Sequence, residues 1–340
     1  MASKGLGIEQ TKGTFQFKGI VSGVRKDTFY KETKTKTNKP FRAISFGLQV
    51  AKDSIVYVSL NGMEQENVYF SKTVEKKTTV EKVAWSKRLD WNKEGFRLIG
   101  VNVGVEKTTD EKGNLVNVKK YLTPFDACDY IAKHLKDDSS VFVRGNIEYS
   151  HFESNGNTSH SVKFIPTQIS LCKDVDFDIV DYEVVSSFSQ VLVYMGIRKE
   201  NERGLVDAKV VNYSTIEDAE FVIDDPKLAG NFKKLKSNTG IKVWGNIKTV
   251  RNTEPVQDKS TDGWGGPNPM DKVTSPYKRE LIITGADPTS IDTVVYAEDV
   301  LEQAMEAMKS DSKAKTEYGD DDWGETPSET KEVKEEESAW

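Results

Sequence analysis

One segment occurs twice in the chain and limits the fold more than any other feature. Val141-Phe142-Val143-Arg144-Gly145-Asn146-Ile147-Glu148 is echoed by Ile241-Lys242-Val243-Trp244-Gly245-Asn246-Ile247-Lys248. Each copy alternates in the manner of a half-buried strand. Each also carries a central glycine, which lets a strand bend sharply. Self-similarity at this separation points to one supersecondary unit given twice. What surrounds the two copies agrees in kind. A helical stretch precedes each: Pro124 to Lys136, with Phe125, Cys128, Ile131, Ala132 and Leu135 at helical spacing, and Pro226 to Lys236, with Leu228, Phe232 and Leu235. A polar turn at 154–157 leads to a strand over Ser161 to Leu171, and a long loop from Asn252 to Ser275 leads to Tyr277 to Thr284. Upstream, Thr14 to Val24, Phe41 to Val50 and Ser54 to Leu60 read as strands. Ser187 to Ile197, Leu205 to Tyr213 and Ala219 to Ile223 take those parts in the second half.

Three strands, a helix and two strands is the order of a five-stranded Greek-key barrel of the oligonucleotide-binding (OB) type. The expected fold is mainly β: two OB-fold-like barrels in tandem, a C-terminal helix and a disordered acidic tail. The first unit covers 1–175 with an insertion at 63–122, and the second covers 183–290. A helix follows over 291–309, where Val300, Leu301, Ala304, Met305 and Met308 form one stripe. Within the insertion, Gly95 to Val105 and Leu115 to Tyr121 look like a hairpin about a turn at Thr109 to Asn114. Whether 71–94 is ordered is left open by the sequence. Phe15, Phe17, Phe46 and Phe142 are assigned to the core.

The tail, 310–340, is the segment least able to fold. From Asp311 onward it holds eleven acids and four lysines, net −7, with almost no aliphatic content, and such a composition cannot offset the entropy of ordering. Because the whole chain is at −6, the other residues sum to about +1. They are not evenly spread: 1–120 holds 23 Lys/Arg against 13 Asp/Glu. A basic front suits a polyanion, since each phosphate neutralised releases counterions.

Single-stranded nucleic acid is bound by cations that track its backbone and by aromatic rings that stack on bases. The chain interleaves these residue types at four places. The first inter-strand loop offers Arg25, Lys26, Phe29, Tyr30, Lys34, Lys36, Lys39 and Arg42. Trp85, Lys87, Arg88, Trp91 and Arg97 stand in the insertion, where tryptophans spaced among cations have no amphipathic use and suggest exposure. Arg144 and Trp244 occupy equivalent positions in the repeat and should point to the same face of their barrels. Tyr149, Arg251, Trp264, Tyr277, Lys278 and Arg279 flank the connections between fourth and fifth strands.

Signals for other chemistry are weak. His134, His151 and His160 lack metal-ligand spacing, and Cys128 and Cys172 make no disulfide framework. No glycine-rich stretch carries the Lys-Ser/Thr of a phosphate loop. Asp224-Asp225 before Pro226 is a helix start. The aspartates 174, 176, 178 and 181 look like a solvated linker. Neither catalysis nor a cofactor nor a metal is expected. No apolar run approaches the ~20 residues of a membrane span, and Met1 to Gly13 lacks a signal-peptide core, so a cytoplasmic setting is expected.

Tandem barrels, a basic-aromatic front and an acidic tail resemble the plan of the single-stranded DNA-binding proteins of bacteria and their phages. The resemblance implies sequence-independent binding of single-stranded DNA in replication, recombination and repair. It also implies a tail that recruits partner enzymes through an aromatic tip, here Trp323, Glu335, Glu336, Glu337 and Trp340. This tip ends Glu-Ser-Ala-Trp where the bacterial proteins have an Asp-rich segment and Pro-Phe. Two barrels with a large insertion look more like a virulent phage's version, in host cytoplasm. The alternative is an OB-fold phage protein that is structural or binds a host protein, without nucleic acid.

Overall fold

Two rings of strands close on themselves in the computed structural model, which describes residues 5–154, 157–180, 182–251 and 277–317. The first ring begins with β1 (Gly13–Ser22), β2 (Tyr30–Lys34), β3 (Pro40–Ala51) and β4 (Ser54–Met63). The insertion holds β5 (Asn67–Val74), β6 (Lys77–Ala84), β7 (Arg97–Leu98), β8 (Val101–Gly104), β9 (Lys107–Thr109), β10 (Leu115–Asn117) and β11 (Lys120–Leu122). Helix α1 (Pro124–His134) then leads to β12 (Ser140–Ser154) and β13 (Asn157–Leu171). The second ring is β14 (Ser186–Glu200), β15 (Arg203–Val211), β16 (Ile216–Ile223), α2 (Pro226–Phe232), β17 (Thr239–Arg251) and β18 (Tyr277–Asp292), followed by α3 (Glu298–Glu317).

Barrel 1 closes by the pairings β1–β3, β3–β4, β4–β13, β13–β12 and β12–β1. Barrel 2 repeats them as β14–β15, β15–β16, β16–β18, β18–β17 and β17–β14. In each ring the third and fifth strands run parallel, at Val58↔Phe164 and Val222↔Ile282, and all other closures are antiparallel. This is the OB topology, given twice. The repeated glycine sits where the fourth strand bulges against the fifth, at Arg144/Gly145 and Trp244/Gly245. A Cβ on Gly145 would lie 1.9 Å from the Ile165 carbonyl oxygen, and one on Gly245 1.8 Å from that of Ile282. No side chain fits between the strands there. Both helices start alike: Thr123 accepts from the Asp126 N–H and Asp225 from the Lys227 N–H, with a proline following each cap, as favoured N-termini do.

The barrels are welded rather than strung together. First strands β1 and β14 pair antiparallel with Phe15 opposite Phe188, and each phenylalanine also faces its own barrel's glycine, Gly145 or Gly245. The units are therefore related by a pseudo-two-fold through this rung. One apolar core runs through both, from Phe17, Phe164 and Leu48 to Phe188, Phe221 and Leu192. The fourth-to-fifth-strand arms cross over reciprocally. Thr249 on barrel 2's arm donates its Oγ1 to the Ile55 carbonyl of barrel 1 at 2.7 Å. On barrel 1's arm, the Tyr149 carbonyl accepts from Asn212 and His151 Nδ1 lies 2.7 Å from Glu217, both of barrel 2.

The insertion is ordered through 71–94. The sheet β6-β5-β7 encloses a small core of Val68, Phe70, Val83 and Leu98, covered by Trp85, Trp91 and Phe96. The expected hairpin forms as β8–β11, with a further rung β9–β10 turning at Gly113, φ 81°. Strand β8 also joins barrel 1 by pairing parallel with β13.

Two expectations need correction. Phe142 is half-buried on the outside of β12, because Val141 and Val143 take the inward parity and Phe142 lies opposite Lys18. The C-terminal helix, expected over 291–309, spans Glu298–Glu317: β18 runs on to Asp292, and the first residues assigned to the tail are helical. Helix α3 packs on barrel 2: Leu301 and Ala304 meet Val193, Val211 and Ile216, with Leu6 and Ile8 of the N-terminal segment closing the cluster. Residues 318–340 lie outside the described residues.

Candidate nucleic-acid interface

The outward positions of strands β3 and β4 follow from strand parity. Val56, Val58 and Leu60 point into barrel 1, so Ile55, Tyr57 and Ser59 point out. Their cross-strand partners are Gln49, Gly47 and Ser45. Tyr57 is 56% exposed and Ile55 41%. Opposite Tyr57 stands a glycine, so the ring faces no neighbouring side chain across that rung. The neighbouring strand β13 runs parallel with Phe164 beside Val58, and exposed Lys163 therefore stands beside Tyr57 on the outer face. No carboxylate occupies these positions.

Barrel 2's arm forms one wall of this face. Arg279 of β18 donates from NH1 to the Val162 carbonyl at 2.9 Å and lies over the Phe164 ring at 5.0 Å. Its Nε is buried without a hydrogen-bond partner, and it makes no ion pair among the described residues. Burial pulls its guanidinium below the usual arginine value, with Tyr57 acting in the opposite direction.

The basic loop after β1 folds into the hairpin β2–β3. Its tip is fixed by Thr35 N–H to the Lys39 carbonyl at 2.8 Å and by Asn38 at φ 63°. Lys31, Lys34, Lys36 and Lys39 are all exposed on it. At its base, Glu32 accepts from the Tyr30 hydroxyl at 2.7 Å and from Arg42 at 3.1 Å. These bonds hold Glu32 below the usual carboxylate range, while burial and the same hydrogen bond push Tyr30 up to about 12.

The matching face of barrel 2 has different chemistry. Counting rungs from the Phe15 and Phe188 pairs, Gly47–Tyr57 corresponds to Asp207–Glu220, and Gln49–Ile55 to Lys209–Asp218. Lys163 corresponds to Glu280. These carboxylates are paired: Arg198 bridges Asp207 and Glu220, Lys278 reaches Glu220 at 3.2 Å, Lys209 reaches Asp218 at 2.7 Å and Arg203 reaches Glu280 at 2.9 Å.

The other residues singled out from sequence fall into three groups. Some are structural. Phe29 is buried against Phe46, because the loop turns inward before β2 begins. Tyr149 is buried on barrel 1's arm beside Phe221, with its pKa raised by burial. Trp91 packs on Phe70 at 4.2 Å, and Trp85 packs edge-on to Phe125 beneath Arg88. The two tryptophans are half-buried covers of the insertion's small core, less free than the exposure expected of them. Arg88 is committed to Asp126 through two 2.8 Å bonds. Burial works against the Asp126 charge, but hydrogen bonds from Arg88 and Thr123 outweigh it and hold the carboxyl below its usual range.

A second group is exposed: Lys26, Lys34, Lys36, Lys39 and Arg25 around the hairpin, Lys87 and Arg97 in the insertion, and Arg144 and Trp244 at equivalent outward positions. Arg25 nevertheless lies 3.7 Å from Asp137, and Arg97 contacts the Tyr121 hydroxyl. Trp244 is 43% exposed and folds over Gly285, where a Cβ would strike its ring. The third group cannot be placed. Arg251 and Tyr277 end their strands with side chains outside the description, and Trp264, Trp323, Glu335, Glu336, Glu337 and Trp340 lie outside the described residues. Tyr57, Ile55 and Lys163 were not picked out from sequence, although the parity of Ser54 to Leu60 and of the strand over Ser161 to Leu171 contained the signal.

Among the described residues no cluster of three or more His, Cys, Asp or Glu could hold a metal ion, and no helix is long and apolar enough to cross a membrane. The buried Cys128 thiol, pushed up to about 12 chiefly by desolvation, donates to the Leu60 carbonyl.

The model of the YorF family matches residues 71–321, most of the chain. The chain belongs to the YorF family. No curated protein matches this YorF-family chain. Among solved structures, it is similar to the single-stranded DNA binding protein from Thermus aquaticus, at 10% identity and a TM-score of 0.38, over 82% of this chain and 93% of that one. A deletion mutant of the same protein gives 10% identity and 0.39, over 82% and 94%. A replication protein A heterotrimer bound to ssDNA gives 6% and 0.20, over 89% and 99%. Superpositions this loose carry no weight for function, and the barrel assignment rests on the strand pairing above.

Proposed function

We propose that this YorF-family protein is a non-catalytic, sequence-independent single-stranded DNA-binding protein. The observation that carries the reading is the outward β3–β4 face. Among the described residues, an exposed tyrosine and isoleucine stand there with no carboxylate on the paired positions, between a lysine-studded hairpin and the Arg279 guanidinium. Base stacking on an aromatic ring is worth ~1–3 kcal/mol per base and is indifferent to sequence. The strands β3–β4 and the hairpin between β1 and β3 are also the surfaces that OB barrels use for oligonucleotides.

The proposal extends to the setting implied by the architecture: protection of intermediates in DNA replication, recombination and repair, in a phage-infected cytoplasm, with the acidic tail recruiting partner enzymes through Trp340. Fluorescence anisotropy with labelled oligo(dT), an equivalent RNA and duplex DNA over a salt series tests it. Binding to oligo(dT) that weakens linearly with the logarithm of salt, with little binding to duplex, is the expected result. Absence of oligo(dT) binding at low salt overturns the reading.

A further inference from the structure

The two barrels close by the same pairings, so their corresponding faces can be compared position by position. The structure assigns, we propose, the whole single-strand track to barrel 1, with Arg279 lent by barrel 2's arm as a phosphate anchor, while barrel 2's own face is shut by carboxylates. This rests on the DNA-binding reading above and specifies which half of the molecule carries it.

Four corresponding positions differ in one direction. Where barrel 1 has Gly47, Ile55, Tyr57 and Lys163, barrel 2 has Asp207, Asp218, Glu220 and Glu280. A phosphodiester approaching barrel 2 would meet carboxylates where barrel 1 offers a ring and a cation. The cations of barrel 2's face give it no compensating pull. Arg198, Lys209, Lys278 and Arg203 are each already within ion-pair distance of one of these acids. Binding a phosphate there would leave a carboxylate without its partner, and an unpaired charge is costly wherever water is excluded.

Arg279 stands in the opposite condition. Its guanidinium is largely buried and bound to one backbone carbonyl, and among the described residues Nε has no partner and no carboxylate lies in ion-pair range. Leaving a charge and a donor so poorly matched costs free energy. A phosphate oxygen arriving beside Tyr57 would supply the missing anion. Because Arg279 belongs to β18 and Tyr57 to β4, the site is complete only when both barrels are joined.

The test is a titration of the full chain with an oligo(dT) short enough to fill one barrel, roughly 4–16 nucleotides. One oligonucleotide per chain is expected, and two per chain overturns the inference while leaving the DNA-binding reading intact. Tyr57→Ala should weaken binding roughly 5- to 150-fold, the loss of one stacked base, and Tyr57→Phe should restore most of it. Arg279→Gln, which retains a hydrogen-bond donor, should make the log–log salt slope shallower by about 0.7. Lys209→Gln, which alters barrel 2's face alone, should leave affinity and slope unchanged. A slope unaltered by Arg279→Gln, or altered by Lys209→Gln, overturns the assignment. No oligo(dT) binding by the wild-type chain overturns both this inference and the function beneath it.

Discussion

On one rung of barrel 1 the outward pair is Gly47 and Tyr57; on the same rung of barrel 2 it is Asp207 and Glu220. At the weld, by contrast, the barrels agree closely: phenylalanine opposite glycine in each, and a bulge at the same place. Each barrel's helix also starts alike, with a side-chain oxygen cap and a proline next to it. What both halves retain is what closure demands. What differs lies on the solvent side of the strands, where packing does not decide the residue and charge is free to set the partner.

The largest effect should come from the shared feature. Gly145→Ala and Gly245→Ala each push a methyl against a carbonyl oxygen of the adjacent strand, and each is expected to cost about 3 kcal/mol or more. Chemical denaturation should show both variants losing stability in one transition, since the core is continuous. If one barrel melts while the other persists, the weld is weaker than its pairing suggests.

Asp126→Asn should come next, at about 2 kcal/mol, below the 3–5 of a fully buried pair because some exposure remains. It releases the Arg88 clamp between insertion and α1, and hydrogen exchange should rise across β5 and β6 before either barrel. The sign with pH follows from the lowered carboxyl. Its contribution is present above the ordinary Asp value of 3.8 and is lost as pH falls through the still lower value in the folded protein. Acid should therefore loosen the insertion of barrel 1, for which barrel 2 has no counterpart.

A smaller effect sharpens the contrast in charge. Replacing Lys34, Lys36 and Lys39 together with glutamine should make the salt slope for oligo(dT) shallower by up to about 2, at ~0.7 per phosphate contact. The smallest effect is expected on the repeat's outward pair. Arg144→Ala should change stability by no more than about 0.5 kcal/mol. Trp244→Ala, which uncovers Gly285, should cost about 1 kcal/mol, read by thermal melting.

The closure was legible in the sequence because its determinants are local: alternation around Gly145 and Gly245, a capped helix before each, and turn residues after each. The candidate site was legible only in part. Lys34, Lys36 and Lys39 stand out in the sequence because they cluster along the chain, and the structure leaves them exposed. Phe29, Trp85 and Trp91 were drawn toward the DNA by their basic neighbours, yet sequence proximity to lysine says nothing about which way a ring points. Phe29 turns toward Phe46, and the half-buried tryptophans lie against a core whose members, Phe70 and Leu98, come from separate strands. Tyr57 was passed over because it lacks basic neighbours in sequence; its cations, Lys163 and Arg279, arrive from strands far along the chain. No local pattern encodes the crossing of the arms that brings them there.

The pseudo-two-fold through Phe15 and Phe188 has a consequence for heredity. Two identical single-barrel chains meeting about such an axis would display every substitution twice, so a tyrosine gained on one face would appear on the other. With both copies in one polypeptide, each can be edited separately. Tyr57 and Glu220 are then two independent outcomes at what a symmetric assembly would have kept as a single choice.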